Sequence, residues 1–197
     1  MSRDRDKSAA FMALLQPLQR QLEVYCRRML RDPSGVEDVL QSAVMAAFSQ
    51  FDRYAEGTNF RAWMFRFVTL EAFNRNRRRE PAPWGEFSLE TAVEPEEFPA
   101  PDDLAVMLVE RPGVVTEHLD RLVADALDEL PPAERTVLLL RAIGEFSYQE
   151  IHTILSIPVG SVMGYLSRAR LKLRQSLAGY AAQRRIPVRP VTGETRS

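Results

Sequence analysis

The chain has 197 residues, 45% of them hydrophobic, and a formal net charge of −1, which is apolar enough for one ordinary domain or two small ones and excludes a disordered chain. No run of about eighteen apolar residues occurs, and the opening "MSRDRDKSAAF" lacks the apolar stretch of a signal peptide, so neither a membrane span nor export is expected and a cytoplasmic location follows. The single cysteine, Cys26, excludes an internal disulfide and a multi-cysteine metal site, and its apolar-periodic surroundings make it a core residue.

In chain order, Phe11, Leu14, Leu15, Leu18, Leu22, Tyr25, Cys26 and Met29 recur at three-to-four spacing and predict the first helical stretch. A second helix runs from about Ser34 to Phe51, opened by "DPSG", where Asp32 and Ser34 serve as turn or capping residues. The third, "NFRAWMFRFVTLEAFNRNRRR" (residues 59–79), follows a Gly57-Thr58-Asn59 turn and carries five aromatic rings and six arginines. At 100° per residue, Phe60, Trp63, Met64, Phe67, Val68 and Leu70 fall on one side and are expected to pack on the first two helices. Arg61, Phe65, Thr69, Ala72, Asn76 and Arg79 fall on the far side, where the ring of Phe65 would lie in water unless a partner covers it.

Residues 81–113 hold six of the 13 prolines among clustered acids, a composition that resists a packed core and reads as a linker. Four further helical stretches are predicted over Val115–Leu130, Pro131–Gly144, Ser147–Leu155 and Pro158 to about Ala182. No segment alternates with period two for long enough to make a strand. The expectation is an all-α protein of two small helical bundles, residues 8–81 and 116–182, joined by an acidic, proline-rich linker over 82–115 and followed by a flexible tail over 183–197. Charge follows the same divisions: residues 1–80 carry 14 Lys+Arg against 10 Asp+Glu, residues 81–130 carry 2 against 13, and residues 131–197 carry 10 against 4. Two basic ends separated by an acidic middle suggest two polyanion-binding modules.

The third helix supports that view in chemical detail. Guanidinium groups supply phosphate contacts and stack on rings or bases, while aromatic side chains supply π-faces for unpaired bases, a combination suited to single-stranded nucleic acid. "SYQEIHTILSIPVGSVMGYLSRAR" (147–170) has the rhythm of a helix-turn-helix: Ile151 and Leu155 face inward, Ile157 plugs the turn, Pro158 opens the next helix, and Val162 and Leu166 face inward again. Ser161, Tyr165 and Arg168 then project from the half of the second helix that enters a major groove, and Arg168, Arg170, Lys172 and Arg174 follow as phosphate ligands. An enzyme lacks a supporting constellation: there is no glycine-rich phosphate loop and no nucleophile set. His118 and His152 are the only histidines, far apart and without cysteine partners, so neither a metal site nor any other cofactor is expected.

Three motifs, "VEDVLQSAVMAAF", "FDRYAEGTNFRAWMFRF" and "LPPAERTVLLLRAIGEFSYQEIHTILSIPVGSVMGYLSRARLKLR", resemble in order and spacing the extracytoplasmic-function sigma factors of bacterial RNA polymerase, in the sigma-70 superfamily. The resemblance covers about residues 8–81 as sigma region 2 and 116–182 as sigma region 4. It implies an alternative sigma factor, not itself an enzyme, that binds polymerase core, recognises two promoter elements and promotes melting. Glu37, Asp38, Leu40 and Gln41 would dock on the clamp helices, residues 52–66 would capture the opened non-template strand, and region 4 would read the upstream duplex while contacting the flap. Candidate DNA contacts are Asn59, Arg61, Trp63, Phe65, Arg66, Asn74, Arg75 and Arg77 in region 2, and Tyr148, Gln149, Ser161, Tyr165, Arg168 and Arg170 in region 4. An anti-sigma factor is a further partner of many relatives. The linker would thread near the active-site channel and tether the two modules.

Five positions depart from the resemblance. The family's acidic dock usually reads "DAEDLVQE", and here Gly35 and Ser42 replace its first and last acids; a regulatory kinase acting on Ser34 or Ser42 would restore negative charge. Where the family often has "TVKSRLSRAR", Met163, Gly164 and Tyr165 leave fewer cations facing the groove. The rival reading is a two-domain helical regulator whose helix-turn-helix binds DNA without polymerase; association with core polymerase discriminates the two.

Overall fold

The computed structural model describes residues 2–54, 58–77 and 117–183, so the linker over 82–115 and nearly all of the tail lie outside the described residues. Among these, every regular element is helical and no helix is long and apolar enough to cross a membrane. The first predicted stretch is broken by Pro17, whose missing N–H and fixed φ suit the start of a helix and not its interior. It separates α1 (Ser2–Leu15) from α2 (Gln19–Met29) through a 3-10 turn over Gln16–Leu18.

α2 buries Leu22, Tyr25, Cys26 and Met29, one apolar stripe at helical spacing. Cys26 is fully buried, and burial pushes its thiol up to about 12, which keeps it protonated as a core side chain. Asp32, not Ser34, caps the turn that follows: its carboxylate accepts from the Ser34 N–H at 3.0 Å. α3 (Val36–Ser49) begins with Glu37 and Asp38 in its first turn, where acids favour the helix dipole. Ala43 and Ala47, both wholly buried, let α3 lie close against α4 (Phe60–Arg77). Asn59 starts α4, its side-chain oxygen accepting from the Ala62 N–H at 3.0 Å. Where α1, the end of α3 and the start of α4 converge, Phe11 is ringed edge-on by Phe48, Phe51 and Phe60 at centroid distances of 5.3, 5.2 and 5.7 Å.

The second bundle comprises α5 (Glu117–Asp128), α6 (Pro132–Ala142), α7 (Tyr148–Leu155) and α8 (Val159–Gln183). α7 and α8 form the expected helix-turn-helix. Ser147 and Glu150 make a reciprocal capping box on α7, Ser156 takes a left-handed conformation at φ 57°, and Ile157 is buried in the turn. Val162, Leu166, Ala169 and Leu173 line the inner face of α8.

The two bundles pack on each other, α2 against α6 and α4 against α7. This changes the reading of α4 in one respect. Leu70, expected in the core, is 48% exposed, while Phe65, Thr69 and Ala72, assigned to the far side, are buried. The apolar stripe is rotated because α4 is covered from two directions, by its own bundle and by the second. Leu14, at 39% exposed, likewise lies outside the core.

The buried polar link inside the first bundle has a defined direction. The Thr69 hydroxyl donates to the Phe65 carbonyl at 2.7 Å, so the Tyr25 hydroxyl, 2.7 Å away, must donate to Thr69. Burial raises the Tyr25 phenol above its ordinary value, which keeps that donor proton in place. Thr69→Val strands a buried donor and is expected to cost about 1–3 kcal/mol, whereas Tyr25→Phe removes the donor and should cost about 1 kcal/mol. Urea unfolding of the two variants measures the order; equal costs would contradict the assigned direction.

Candidate nucleic-acid interface

On α4, the side chains singled out from the sequence meet the second bundle. Phe65 is wholly buried, with the Tyr25 ring at 4.9 Å and the Phe146 ring at 5.0 Å. The partner it needs is thus Phe146, from the turn between α6 and α7. The Arg61 guanidinium lies 4.5 Å from the centroid of the same Phe146 ring, a cation–π contact. Asn59 uses both ends of its amide: while the oxygen caps α4, Nδ2 donates to Glu150 Oε1 at 2.6 Å. Arg66 reaches the C-terminal end of α7, its Nη1 standing 3.3 Å from the Ile154 carbonyl, 3.5 Å from that of Thr153 and 3.2 Å from Ser156 Oγ. Cations favour that end of a helix, where carbonyls lack intrahelical partners.

The remaining α4 candidates are placed differently. Trp63 is half-buried within the aromatic cluster, 5.4 Å from Tyr54 and 4.9 Å from Phe67. Asn74 is exposed, and the side chain of Arg77 lies outside the described residues. Arg75 turns back over α3 and pairs with Asp38 at 3.3 Å. A Cβ at Gly35 would stand 3.0 Å from the Arg75 guanidinium, so the glycine that replaces the family's first acid makes room for an arginine bound to Asp38. Glu37, Asp38, Gln41, Ser42 and Met45 are all exposed on one face of α3, with Leu40 half-buried beside them.

On the helix-turn-helix, Arg168 is held from three sides. Its Nε donates to Glu134 Oε1 at 3.2 Å, its guanidinium lies 5.1 Å from the Tyr165 ring, and Gly164 leaves the space a side chain would contest, a Cβ there meeting Arg168 Nη1 at 3.3 Å. Both departures at Gly164 and Tyr165 therefore accommodate one arginine. Glu134, itself 5% exposed, also holds Lys172 at 2.9 Å, so two of the expected phosphate ligands share a buried counter-charge. Tyr148 is half-buried with the Arg141 guanidinium 5.7 Å from its ring, Gln149 is exposed, and Ser161 and Arg170 are half-buried. His152 bridges the turn, Nδ1 lying 2.6 Å from the Ile157 carbonyl. Among the described residues no group of three or more His, Cys, Asp or Glu could hold a metal ion.

Four side chains that the sequence reading did not single out organise this surface. Phe146 covers Phe65. Glu150 joins the capping box to Asn59; its carboxyl lies below the ordinary range, first through the Ser147 backbone N–H, then through the Ser147 hydroxyl, Arg61 and Asn59, against desolvation. A lowered value means that the anchoring is complete above the ordinary carboxylate range and fades only in acid, as pH falls through the depressed value. Glu134 collects the recognition-helix cations. Arg135, its neighbour, donates Nε to the Arg28 carbonyl at 2.8 Å and Nη1 to Asp128 at 2.5 Å, with Nη2 also on the Arg28 carbonyl. Burial lowers Arg135 and Asp128 opposes that shift. The Ser-x-x-Glu spacing at 147–150 is a visible capping signal; the cross-bundle reach of these groups has no counterpart in local spacing.

The chain is similar to known proteins in both bundles. The Sigma-70 region 2 family matches residues 14–81, and Sigma-70, region 4 matches residues 120–173. The chain is 30% identical to the ECF RNA polymerase sigma factor SigW of Bacillus subtilis over 154 residues, 77% of this chain and 80% of that one. It is 31% identical to the ECF RNA polymerase sigma-E factor of Escherichia coli K12 over 142 residues, 70% of this chain and 72% of that one. Among solved structures it is similar to CnrH in complex with the cytosolic domain of CnrY, with a TM-score of 0.61, 26% identity and coverage of 87% and 90% of the two chains. It also shares the fold of the sigma factor RpoE in complex with the anti-sigma factor NepR from Bartonella quintana, with a TM-score of 0.59, 22% identity and coverage of 85% and 98%.

The buried carboxylate of Glu134 gives the helix-turn-helix an asymmetric sensitivity. Glu134→Gln releases two half-exposed cations to solvent and should cost about 1 kcal/mol, whereas replacing Arg168 and Lys172 together by Met strands a buried charge and should cost about 3 kcal/mol or more. Urea unfolding decides between this order and its reverse.

Proposed function

Because the chain belongs to the extracytoplasmic-function sigma factors of the sigma-70 family, alternative sigma factors of transcription initiation, we propose that its two bundles divide promoter recognition between melted and duplex DNA. In the first bundle, Glu37, Asp38, Leu40 and Gln41 on the outer face of α3 dock on the polymerase clamp, and Asn59, Arg61, Trp63, Phe65 and Arg66 around the start of α4 hold the displaced strand. Asn74, Arg75 and Arg77 extend the basic track. Bases leaving the stack cost a few kcal/mol, which a ring-lined basic surface offsets. In the second bundle, Tyr148, Gln149, Ser161, Tyr165, Arg168 and Arg170 read or grip the upstream duplex, and the bundle contacts the polymerase flap.

The observation that carries this reading is the helix-turn-helix itself. A capped α7, a left-handed turn at Ser156 and an α8 whose Arg168 is set by Glu134 and Tyr165 form a rigid base-reading element, on the same chain as an aromatic and basic α4. The acidic linker tethers the two so that one contact raises the effective concentration of the other. Work is placed in the cytoplasm, where polymerase and promoter DNA are found. The sigma factor RpoE of Bartonella quintana is solved in complex with the anti-sigma factor NepR, which supports a partner of that kind for this chain. Ser42, exposed beside Gln41 on α3, is where phosphorylation would add charge to the docking face.

Run-off transcription from a randomised promoter library with reconstituted holoenzyme tests the proposal: the chain should direct initiation from a two-part promoter, and a folded chain that directs none overturns it. Glu37→Ala with Asp38→Ala should weaken core binding about tenfold, equivalent to about 1.4 kcal/mol, as read by competition for core. Arg168→Ala should weaken binding to the upstream element by about 1–3 kcal/mol while leaving capture of a pre-melted downstream strand unchanged, as read on fork-junction templates.

A further inference from the structure

Cations on a helix that lies against DNA add affinity for any sequence, since phosphate contacts carry no sequence information. On α8 two such cations are already engaged. Glu134, buried in the first turn of α6, holds Arg168 through Oε1 at 3.2 Å and Lys172 through Oε2 at 2.9 Å. A carboxylate removed from water keeps such partners firmly, because without them its charge is buried and unpaired. With Nε fixed in this way, the Arg168 guanidinium lies along its own helix, 5.1 Å from the centroid of the Tyr165 ring and in the space left beside Gly164. Tyr165 follows Ser161 by one turn on the same face of α8, and both are half-buried. Its phenol both donates and accepts a hydrogen bond, and its ring offers an apolar edge to a thymine methyl. It can therefore distinguish base edges, which a cation on a phosphate cannot.

We propose that Glu134 is a positioning residue for upstream specificity: it withdraws Arg168 and Lys172 from sequence-independent phosphate binding and, through Arg168, sets the ring of Tyr165 to read a base pair in the major groove. The inference rests on the reading of the second bundle as the duplex-binding module. It deepens that reading by dividing the α8 side chains into a reader and its support, and by placing a determinant of specificity on α6, outside the helix-turn-helix. Neutralising Glu134 then acts with opposite sign on the two kinds of binding. Two freed cations raise affinity for DNA of any sequence and make it more salt-dependent, while discrimination falls.

The test uses holoenzyme reconstituted with the full chain and titrated with two duplexes, the upstream element selected from the randomised library and a scrambled version of it. Glu134→Gln should lower the ratio of the two affinities about tenfold, bind the scrambled duplex at least as tightly as the unmodified chain, and steepen the dependence of log affinity on log salt by about one to two. Arg168→Lys, which keeps the charge but not the planar group that lies on the ring, should lower the ratio as well. Tyr165→Leu should lower it by itself, and adding Glu134→Gln to that variant should lower it no further, since residues acting as one unit are not additive. A Glu134→Gln variant that weakens both duplexes equally has a merely structural role and overturns the inference. So does a ratio unchanged in Glu134→Gln and Arg168→Lys, or losses that add in the double variant. If the unmodified holoenzyme already fails to distinguish the two duplexes, the duplex-reading role of the second bundle falls too; if it distinguishes them and Glu134→Gln does so equally well, only the positioning role is lost.

Discussion

Helix α4 is apolar on more of its circumference than one bundle can cover, and the rest of the architecture follows from that. Met64 and Val68 are buried within the first bundle, but Phe65 lies one residue further round the helix, and its ring would face water without Phe146 at 5.0 Å. Burying a phenylalanine side chain is worth on the order of 2–3 kcal/mol, and here its burial requires a residue contributed by the other bundle. The bundles are consequently coupled through the same helix that carries the aromatic and basic groups.

Helix α6 is the electrostatic counterpart. Adjacent residues on a helix point about 100° apart, and Glu134 and Arg135 use that divergence: the acid reaches Arg168 and Lys172 on α8, the base reaches Asp128 and the carbonyl end of α2. One dipeptide thereby fixes the recognition helix within its bundle and the bundle against its neighbour. Buried charges of this kind require partners, so both side chains resist substitution by neutral groups of other shapes.

The departures from the family pattern acquire a shared physical meaning. Gly35 and Gly164 each leave room for an arginine, Arg75 in one case and Arg168 in the other, and Tyr165 supplies a ring for the second to lie on. His152 bonds across the turn to Ile157.

Local patterns in the chain were sufficient for the helical class, the two-bundle organisation and the buried Ile151, Ile157, Val162 and Leu166 of the helix-turn-helix, because each depends on spacing and on interactions within a few residues. They also carried the requirement that Phe65 find a cover. What they could not specify was the cover itself, the burial of Thr69 and Ala72 in place of Leu70, or the engagement of Asn59, Arg61 and Arg66 by the second bundle. Those depend on groups about ninety residues apart meeting across an interface, which no periodicity encodes; only the packing of one folded bundle on the other brings Glu150, Phe146 and the carbonyl end of α7 within bonding distance of α4.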